Sequence, residues 1–325
     1  MTEFDYIITG AGSAGCVLAN RLSADGRFTV LLLEAGGSDR SPWIRVPIGY
    51  GKTFTDPRFN WKYFTEPDPG LGNRRDYWPR GKVLGGSSSI NAMVYVRGHP
   101  GDFDDWAAMG NPGWSYADVL PYFRKLEDHV WGESEYHGAG GPLAIGDIRQ
   151  CVHPLCERFI SSCAAVGITP NADFNAERME GAGTWQMTIR RGLRESAATA
   201  FLRPAMQRSN LTVRTQAMAR RVLFEGRRAS GIEYQHGGIT NSVRARREVI
   251  IAAGAINSPQ LLQLSGVGPA RLLGQSSYIF EAGACVVLEG EEHWLTGDLM
   301  PGELTIAEQI EHSGAPALLL SLIHI

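Results

Sequence analysis

The first residues with chemical consequence are the glycines of Gly10-Ala11-Gly12-Ser13-Ala14-Gly15. This run comes straight off the apolar stretch Phe4-Asp5-Tyr6-Ile7-Ile8-Thr9 and leads into Cys16-Val17-Leu18-Ala19-Asn20-Arg21-Leu22. A strand, a glycine turn and a helix in that order present bare backbone N–H groups to a diphosphate. Gly10 permits the tight turn. Gly12 removes the Cβ that would hold a pyrophosphate away, and Gly15 lets the helix pack closely on the strands. The helix N-terminus adds unpaired amides and the positive end of a dipole. A second apolar run, 28–33, ends at Glu34. A carboxylate there can accept both hydroxyls of an adenosine ribose and would repel a 2′-phosphate, which favours NAD or FAD over NADP. The fingerprint does not separate FAD from NAD. A glycine turn in some other α/β protein is the plain alternative.

The elements that must hold these residues follow from periodicity. Residues 1–34 read as one strand–helix–strand unit. Residues 36–80 are rich in Gly, Pro, Asp and aromatics without a period, as expected of a long excursion over a surface or around a cofactor. Helices are expected over 115–128, from the spacing of Tyr116, Val119, Leu120, Phe123 and Leu126, and over 153–167, with Leu155, Phe159, Ile160 and Val166 as its apolar side. Residues 138–145 suggest a turn entering a strand. Residues 195–207 suggest a helix bent near Pro204. Three short strands, 211–215, 221–224 and 231–234, separated by polar turns that include Glu225-Gly226-Arg227-Arg228, predict a β-meander. Another strand over 247–252 ends in small residues. Ser258-Pro259 is expected to start a helix.

The chain has 325 residues, enough for two domains or one large one, and 43% are hydrophobic. The formal charge of −3 argues against a general nucleic-acid surface. The five cysteines, at 16, 151, 156, 163 and 285, are odd in number and lack C-x-x-C spacing, so a reducing compartment and no structural metal are expected. Cys151, His153, Cys156 and Cys163 resemble ligands only superficially. No signal peptide is visible, and no apolar stretch has the length needed to cross a bilayer.

A second glycine-rich segment makes the pattern specific. Arg80-Gly81-Lys82-Val83-Leu84-Gly85-Gly86-Ser87-Ser88-Ser89-Ile90-Asn91 resembles the first signature of the glucose–methanol–choline (GMC) oxidoreductases. Gly254-Ala255-Ile256-Asn257-Ser258-Pro259-Gln260-Leu261-Leu262, with Ser265-Gly266-Val267-Gly268-Pro269, resembles the second. The opening glycines, Glu34 and Leu193-Arg194-Glu195-Ser196-Ala197 fit the same family, over residues 4 to about 273, and the bacterial choline dehydrogenases are the members it resembles most.

The resemblance implies an α/β fold: a three-layer, Rossmann-like FAD/NAD(P)-binding domain with part of an α+β substrate-binding domain. The FAD-binding domain would comprise 1–150 and 206–273, the partial substrate domain 151–205. It also assigns Gly10, Gly12, Ser13, Ala14, Gly15, Glu34 and Ala35 to the adenosine and pyrophosphate of FAD. Gly81, Val83, Gly86, Asn91, Ala92, Met93 and Val94 would run along the flavin and its ribityl chain, with Trp61 nearby and Ala219 close to the adenine. Some relatives carry a flavin-linked histidine where this chain has Ile90, so non-covalent FAD is expected. Read from their own chemistry, Ser87, Ser88 and Ser89 offer donors and acceptors for phosphate or ribityl oxygens, and Asn91 can donate to a flavin carbonyl. Trp61 could as readily be a core aromatic.

The family oxidises a primary alcohol, using a histidine base and a second His or Asn from its C-terminal part. Residues 274–325 match nothing in that pattern. The expectation is that this part is missing and that 274–325 is an aberrant tail. No histidine is nominated as the base: His99 reads as a turn residue, and His293, His312 and His324 fall in the tail. The expected partners are a small alcohol and a quinone or respiratory-chain acceptor. The expected place is the cytoplasm, with peripheral attachment to a membrane as the alternative. A truncated FAD-binding module without activity is the second reading.

Overall fold

The computed structural model describes residues 2–268. The first apolar run forms strand β1 (Thr2–Thr9), the residues after the glycine turn form helix α1 (Ser13–Leu22), and the second run forms β2 (Val30–Leu33). β1 and β2 lie parallel and in register, Tyr6 opposite Val30 and Thr9 opposite Leu33. β2 and the C-terminal end of β1 are apolar on both faces because both faces are covered there. Ile8, Val30 and Leu32 pack toward α1, while Ile7, Leu31 and Leu33 pack into a second core with Val222, Ile232, Tyr234 and Val243. Leu31 and Leu32 have no exposed surface. Truncating either to Ala would cost about 2–5 kcal/mol.

Four more strands complete the sheet: β3 (Leu211–Arg214), β4 (Ala217–Glu225), β5 (Arg228–His236) and β6 (Ile239–Ile251). Their order is β3-β2-β1-β6-β5-β4. β6 runs parallel to β1, and β4, β5 and β6 form an antiparallel meander. The expected turn at Glu225-Gly226-Arg227-Arg228 is there, closed by the Glu225–Arg228 pair. The first strand of the expected meander is not part of it. Residues 211–214 instead pair in parallel with β2, Leu211 opposite Val30, on the far edge of the sheet. The meander's third strand is the long β6, whose N-terminal half is too polar to read as a strand.

Helices α2 (Pro100–Ala108) and α3 (Tyr116–Leu126) are each started by a capping box, from His99 with Asp102 and from Ser115 with Asp118. His99 is thereby accounted for as a cap, its Nδ1 accepting from the Gly101 amide. Helix α4 (Pro154–Ala165) forms where expected, but its apolar side is not inward. Leu155, Phe159 and the following Val166 are 62%, 68% and 77% exposed, so periodicity identified the helix and not its covered face. The bent segment near Pro204 is a π-helical stretch (Ala198–Leu202) running into a short helix (Arg203–Ala205) against α1. Helix α5 (Gly254–Leu264) begins before Ser258, so Pro259 lies inside it rather than in its first turn.

Candidate functional site

The site is built where β1, β2 and β6 end. Gly10 has φ +94°, and a Cβ on it would lie 2.5 Å from the Ala252 carbonyl oxygen. A Cβ on Gly15 would overlap the Gly10 carbonyl, so that glycine is what lets α1 descend onto the turn. Gly12 is different. Its φ is an ordinary −76° and a Cβ there would meet no atom within 4 Å. No described residue requires glycine at 12; a ligand seated against the backbone would. The amides of Ser13, Ala14 and Gly15 make no backbone hydrogen bond among the described residues. They face outward as free donors at the N-terminus of a ten-residue helix.

Glu34, at the end of β2, is 6% exposed. Its carboxylate points into the glycine turn: Oε2 accepts from the Ala11 amide and Oε1 from the Gly36 amide, both at 2.8 Å. Burial pushes its pKa up to about 7, against the two amides and the Lys82 charge, which act in the opposite direction. Ala35 lies between the acid and Gly36. β4 starts beside it, with the Ala217 amide donating to the Glu34 carbonyl at 2.8 Å, and Ala219 follows in the same strand.

The second glycine segment closes on the first. Gly85 donates to the Ala11 carbonyl at 2.7 Å, and Leu84 to the Gly37 carbonyl at 3.0 Å. A Cβ on Gly86 would come within 2.7 Å of the Gly12 Cα. The two motifs, some seventy residues apart in the chain, are therefore one wall. Val83 is fully buried with Ile44, Phe59 and Ile90, so the Ile90 side chain belongs to the core. Trp61 bonds through its amide to the Arg80 carbonyl at 2.9 Å, next to Gly81. Its ring stacks on Tyr63 and carries the Lys82 ammonium 4.6 Å from its centre. Met93 is buried with φ +63°, and the exposed Val94 pairs with Met187. Ala92 lies between Asn91 and Met93.

Two of the three serines, Ser88 and Ser89, are not the open donors the sequence suggests. Ser88 Oγ donates to the Gly85 carbonyl and accepts from the Ala197 amide, Ser89 Oγ donates to the Leu84 carbonyl, and Ser87 Oγ accepts from the Gly81 amide. They hold the loop in shape. Asn91 Oδ1 accepts from the Met93 amide at 3.0 Å and from Arg194 Nη1 at 2.7 Å.

Sequence reasoning missed a buried charged cluster elsewhere in the fold. Glu127 accepts from Tyr95 Oη (2.5 Å), pairs with Arg97, and meets His137 Nδ1 at 3.0 Å. His137 Nε2 lies 2.8 Å from Asp173, which accepts from Gln186. The two carboxylates raise the His137 pKa, against desolvation, the largest effect and opposite in sign. His129, stacked 3.8 Å from His137, is driven down to about 4 by burial and by that neighbouring charge. No sequence motif announces this cluster, since its members are brought together from four separate stretches. Among the described residues no group of His, Cys, Asp and Glu could hold a metal ion. No described helix is long and apolar enough to cross a membrane. His293, His312, His324, Cys285 and the tail 274–325 lie outside the described residues.

Comparison with known proteins agrees with this geometry. The family model described as GMC oxidoreductase matches residues 4–278. An oxygen-dependent choline dehydrogenase of Photobacterium profundum is 48% identical over 276 residues, covering 85% of this chain and 49% of that protein. The mitochondrial choline dehydrogenase of Homo sapiens is 49% identical over 275 residues, covering 82% of this chain and 46% of the relative. Among solved structures, pyridoxine 4-oxidase from Mesorbium loti superposes with a TM-score of 0.80 at 37% identity, covering 87% of this chain and 55% of that one. An FAD-dependent oxidoreductase from Chaetomium thermophilum gives 0.78 at 34%, covering 84% and 49%. The chain spans about half the length of the curated relatives it matches. It belongs to the GMC oxidoreductase family and has the mixed α/β, FAD-binding fold of that family's N-terminal part.

Proposed function

We propose that this chain holds FAD non-covalently and forms the cofactor-holding part of an oxidoreductase acting on the CH–OH group of a primary alcohol, with choline as one candidate. The observation that carries the reading is the open space at Gly12, framed by the free amides of α1, the Glu34 carboxylate and the second glycine loop. When bound, FAD supplies the hydride acceptor. The chain's own residues do the holding. Gly12, Ser13, Ala14 and Gly15 offer amides to the diphosphate, Gly10, whose own amide donates to the Leu33 carbonyl at 2.8 Å, turns the chain beneath it, and Glu34 and Ala35 take the adenosine ribose, with Ala219 toward the adenine. Gly81, Val83, Gly86, Asn91, Ala92, Met93 and Val94 form the flavin wall, with Trp61 beside it. Ile90 offers no nucleophile, so the linkage stays non-covalent. Residues 1–150 and 206–273 form the FAD-binding domain, and 151–205 form part of a substrate domain.

Choline would need aromatic or acidic groups around its cation; the stacked Trp61–Tyr63 pair, which already holds the Lys82 ammonium, is such a surface beside the flavin wall. A reducing cytoplasm belongs to this reading, and a quinone or respiratory-chain acceptor would take the electrons. The exposed apolar face of α4 favours a second reading, an FAD-holding module without turnover. Purified protein, stripped and titrated with FAD, tests the first claim: visible flavin absorbance should co-elute with the protein. Anaerobic addition of a primary alcohol then separates the readings, bleaching the bound flavin only if the chain turns over. Absence of bound flavin would overturn both.

A further inference from the structure

Arg194 is the least expected charge in the described structure. It ends a short hairpin (Ile189–Arg190 with Leu193–Arg194) and is 2% exposed. Nε donates to the Ile44 carbonyl at 2.9 Å, and Nη1 donates to the Ser88 carbonyl at 3.2 Å and to Asn91 Oδ1 at 2.7 Å. Nη2 is buried without a hydrogen bond. Among the described residues no carboxylate lies within ion-pair reach of it; the adjacent Glu195 pairs with Arg190 instead, at 3.3 Å. Burial pulls the Arg194 pKa down only to about 10, so it stays a cation at neutral pH. A buried cation held by carbonyl oxygens, with no counter-charge, is a poor way to stabilise a fold, since an apolar side chain of similar volume avoids the desolvation.

Its effect on Asn91 is specific. An Asn side chain can present either its oxygen or its NH2 group in nearly the same space. Here both bonds from the protein, from Arg194 Nη1 and from the Met93 amide, reach Oδ1. The oxygen is therefore committed inward. Nδ2 makes no hydrogen bond among the described residues and is left as the donor. Met93, whose amide shares that oxygen, sits at φ +63° and is held on its other side by Thr188. Loss of the guanidinium removes the shorter of these two bonds and leaves the Met93 amide alone to hold the oxygen inward.

We propose that Arg194 is a positioning residue of the cofactor site, locking the Asn91 amide so that Nδ2, and not Oδ1, is offered to the flavin. This rests on the FAD reading above. The test is a double-mutant cycle on the full 325-residue chain with Arg194→Met, Arg194→Lys, Asn91→Ala and the double variants, titrated with FAD. The readouts are the dissociation constant, the visible spectrum and the midpoint potential of the bound flavin. Arg194→Met and Asn91→Ala should each weaken FAD binding about tenfold, the loss of one directed hydrogen bond, and shift spectrum and potential in the same direction. The double variant should be no worse than Asn91→Ala alone. Arg194→Lys keeps a charge and donors and should recover part of the loss in the Asn91 background only; it carries the cycle should Arg194→Met fail to fold. Additive losses, or an Arg194 variant with wild-type spectrum and affinity, would overturn the inference while leaving FAD binding intact. A wild-type chain that binds no FAD would overturn the functional reading itself.

Discussion

The protonation state of Glu34 should control how tightly FAD is held. A carboxylate has about four lone-pair sites, of which the Ala11 and Gly36 amides occupy two, leaving two for the ribose hydroxyls. Adding a proton removes an acceptor and puts a donor in its place. Burial raises this carboxyl from 4.5 to about 7, so in the free protein it is half protonated near neutrality. Binding that requires the ionised form must then displace a proton. One pH unit below the pKa, the ionised fraction is about 0.1, and the apparent dissociation constant should be about tenfold weaker, roughly 1.4 kcal/mol. Above pH 8 it should level off. The sign for stability runs the other way. A carboxyl whose folded pKa is raised adds stability below the unfolded value of 4.5, and that contribution is lost as pH rises through about 7. The free protein should be more acid-tolerant at this site than the holoprotein. Glu34→Gln keeps the shape, but its NH2 would face one of the two amides. FAD affinity should fall about tenfold or more at pH 8 and lose its pH dependence. Titration calorimetry in buffers of different ionisation enthalpy between pH 6 and 8 reads both affinity and proton release. A wild-type affinity flat over that range, or an equal slope in Glu34→Gln, would refute the reasoning.

Other consequences are open to direct measurement. Gly15→Ala places a methyl group against the Gly10 carbonyl and should cost about 3 kcal/mol or more in urea unfolding, because neither backbone can retreat. His137→Ala removes the ring that bridges the buried Glu127 and the part-buried Asp173, leaving Glu127 to Arg97 and Tyr95 alone, and should destabilise by about 3 kcal/mol. In the wild type the raised His137 pKa contributes stability that is complete below its ordinary value and lost as pH rises through the raised one. The Asp173 pKa, lowered to about 2, gives stability above 3.8 that is lost as pH falls, so the cluster should unfold at both extremes in a pH-dependent melt. Acid precipitation of the holoprotein should leave all flavin in the supernatant, since Ile90 cannot bond to it; flavin retained in the pellet would contradict this.

What was legible in the sequence was local. The strand–turn–helix opening, Glu34 at the end of β2 and the helix over 115–128 follow from neighbours within a few residues, whereas α2 and the capping boxes of both helices show only in the structure. The second glycine segment was legible as a motif, though its contact with the first, Gly86 against Gly12, was not, because nothing local couples positions so far apart. The same limit hid the pairing of 211–214 with β2 and the assembly of Tyr95, Arg97, Glu127, His137 and Asp173. Composition misled at Ser88 and Ser89, whose hydroxyls look free in a Gly/Ser run but donate to the loop's own carbonyls. Within Leu193-Arg194-Glu195-Ser196-Ala197 nothing local gives Arg194 a task; its burial and its bond to Asn91 do.

The open space at Gly12 is the centre of the account, and Gly12→Val probes it most directly. Valine tolerates the backbone there, and its side chain would meet no protein atom near its Cβ. Unfolding of the FAD-free protein should therefore change by less than about 1 kcal/mol. FAD binding, followed by flavin fluorescence quenching, should fall by about a hundredfold or more, because the branched side chain occupies the diphosphate's place. An unchanged melt with wild-type FAD affinity would contradict the account.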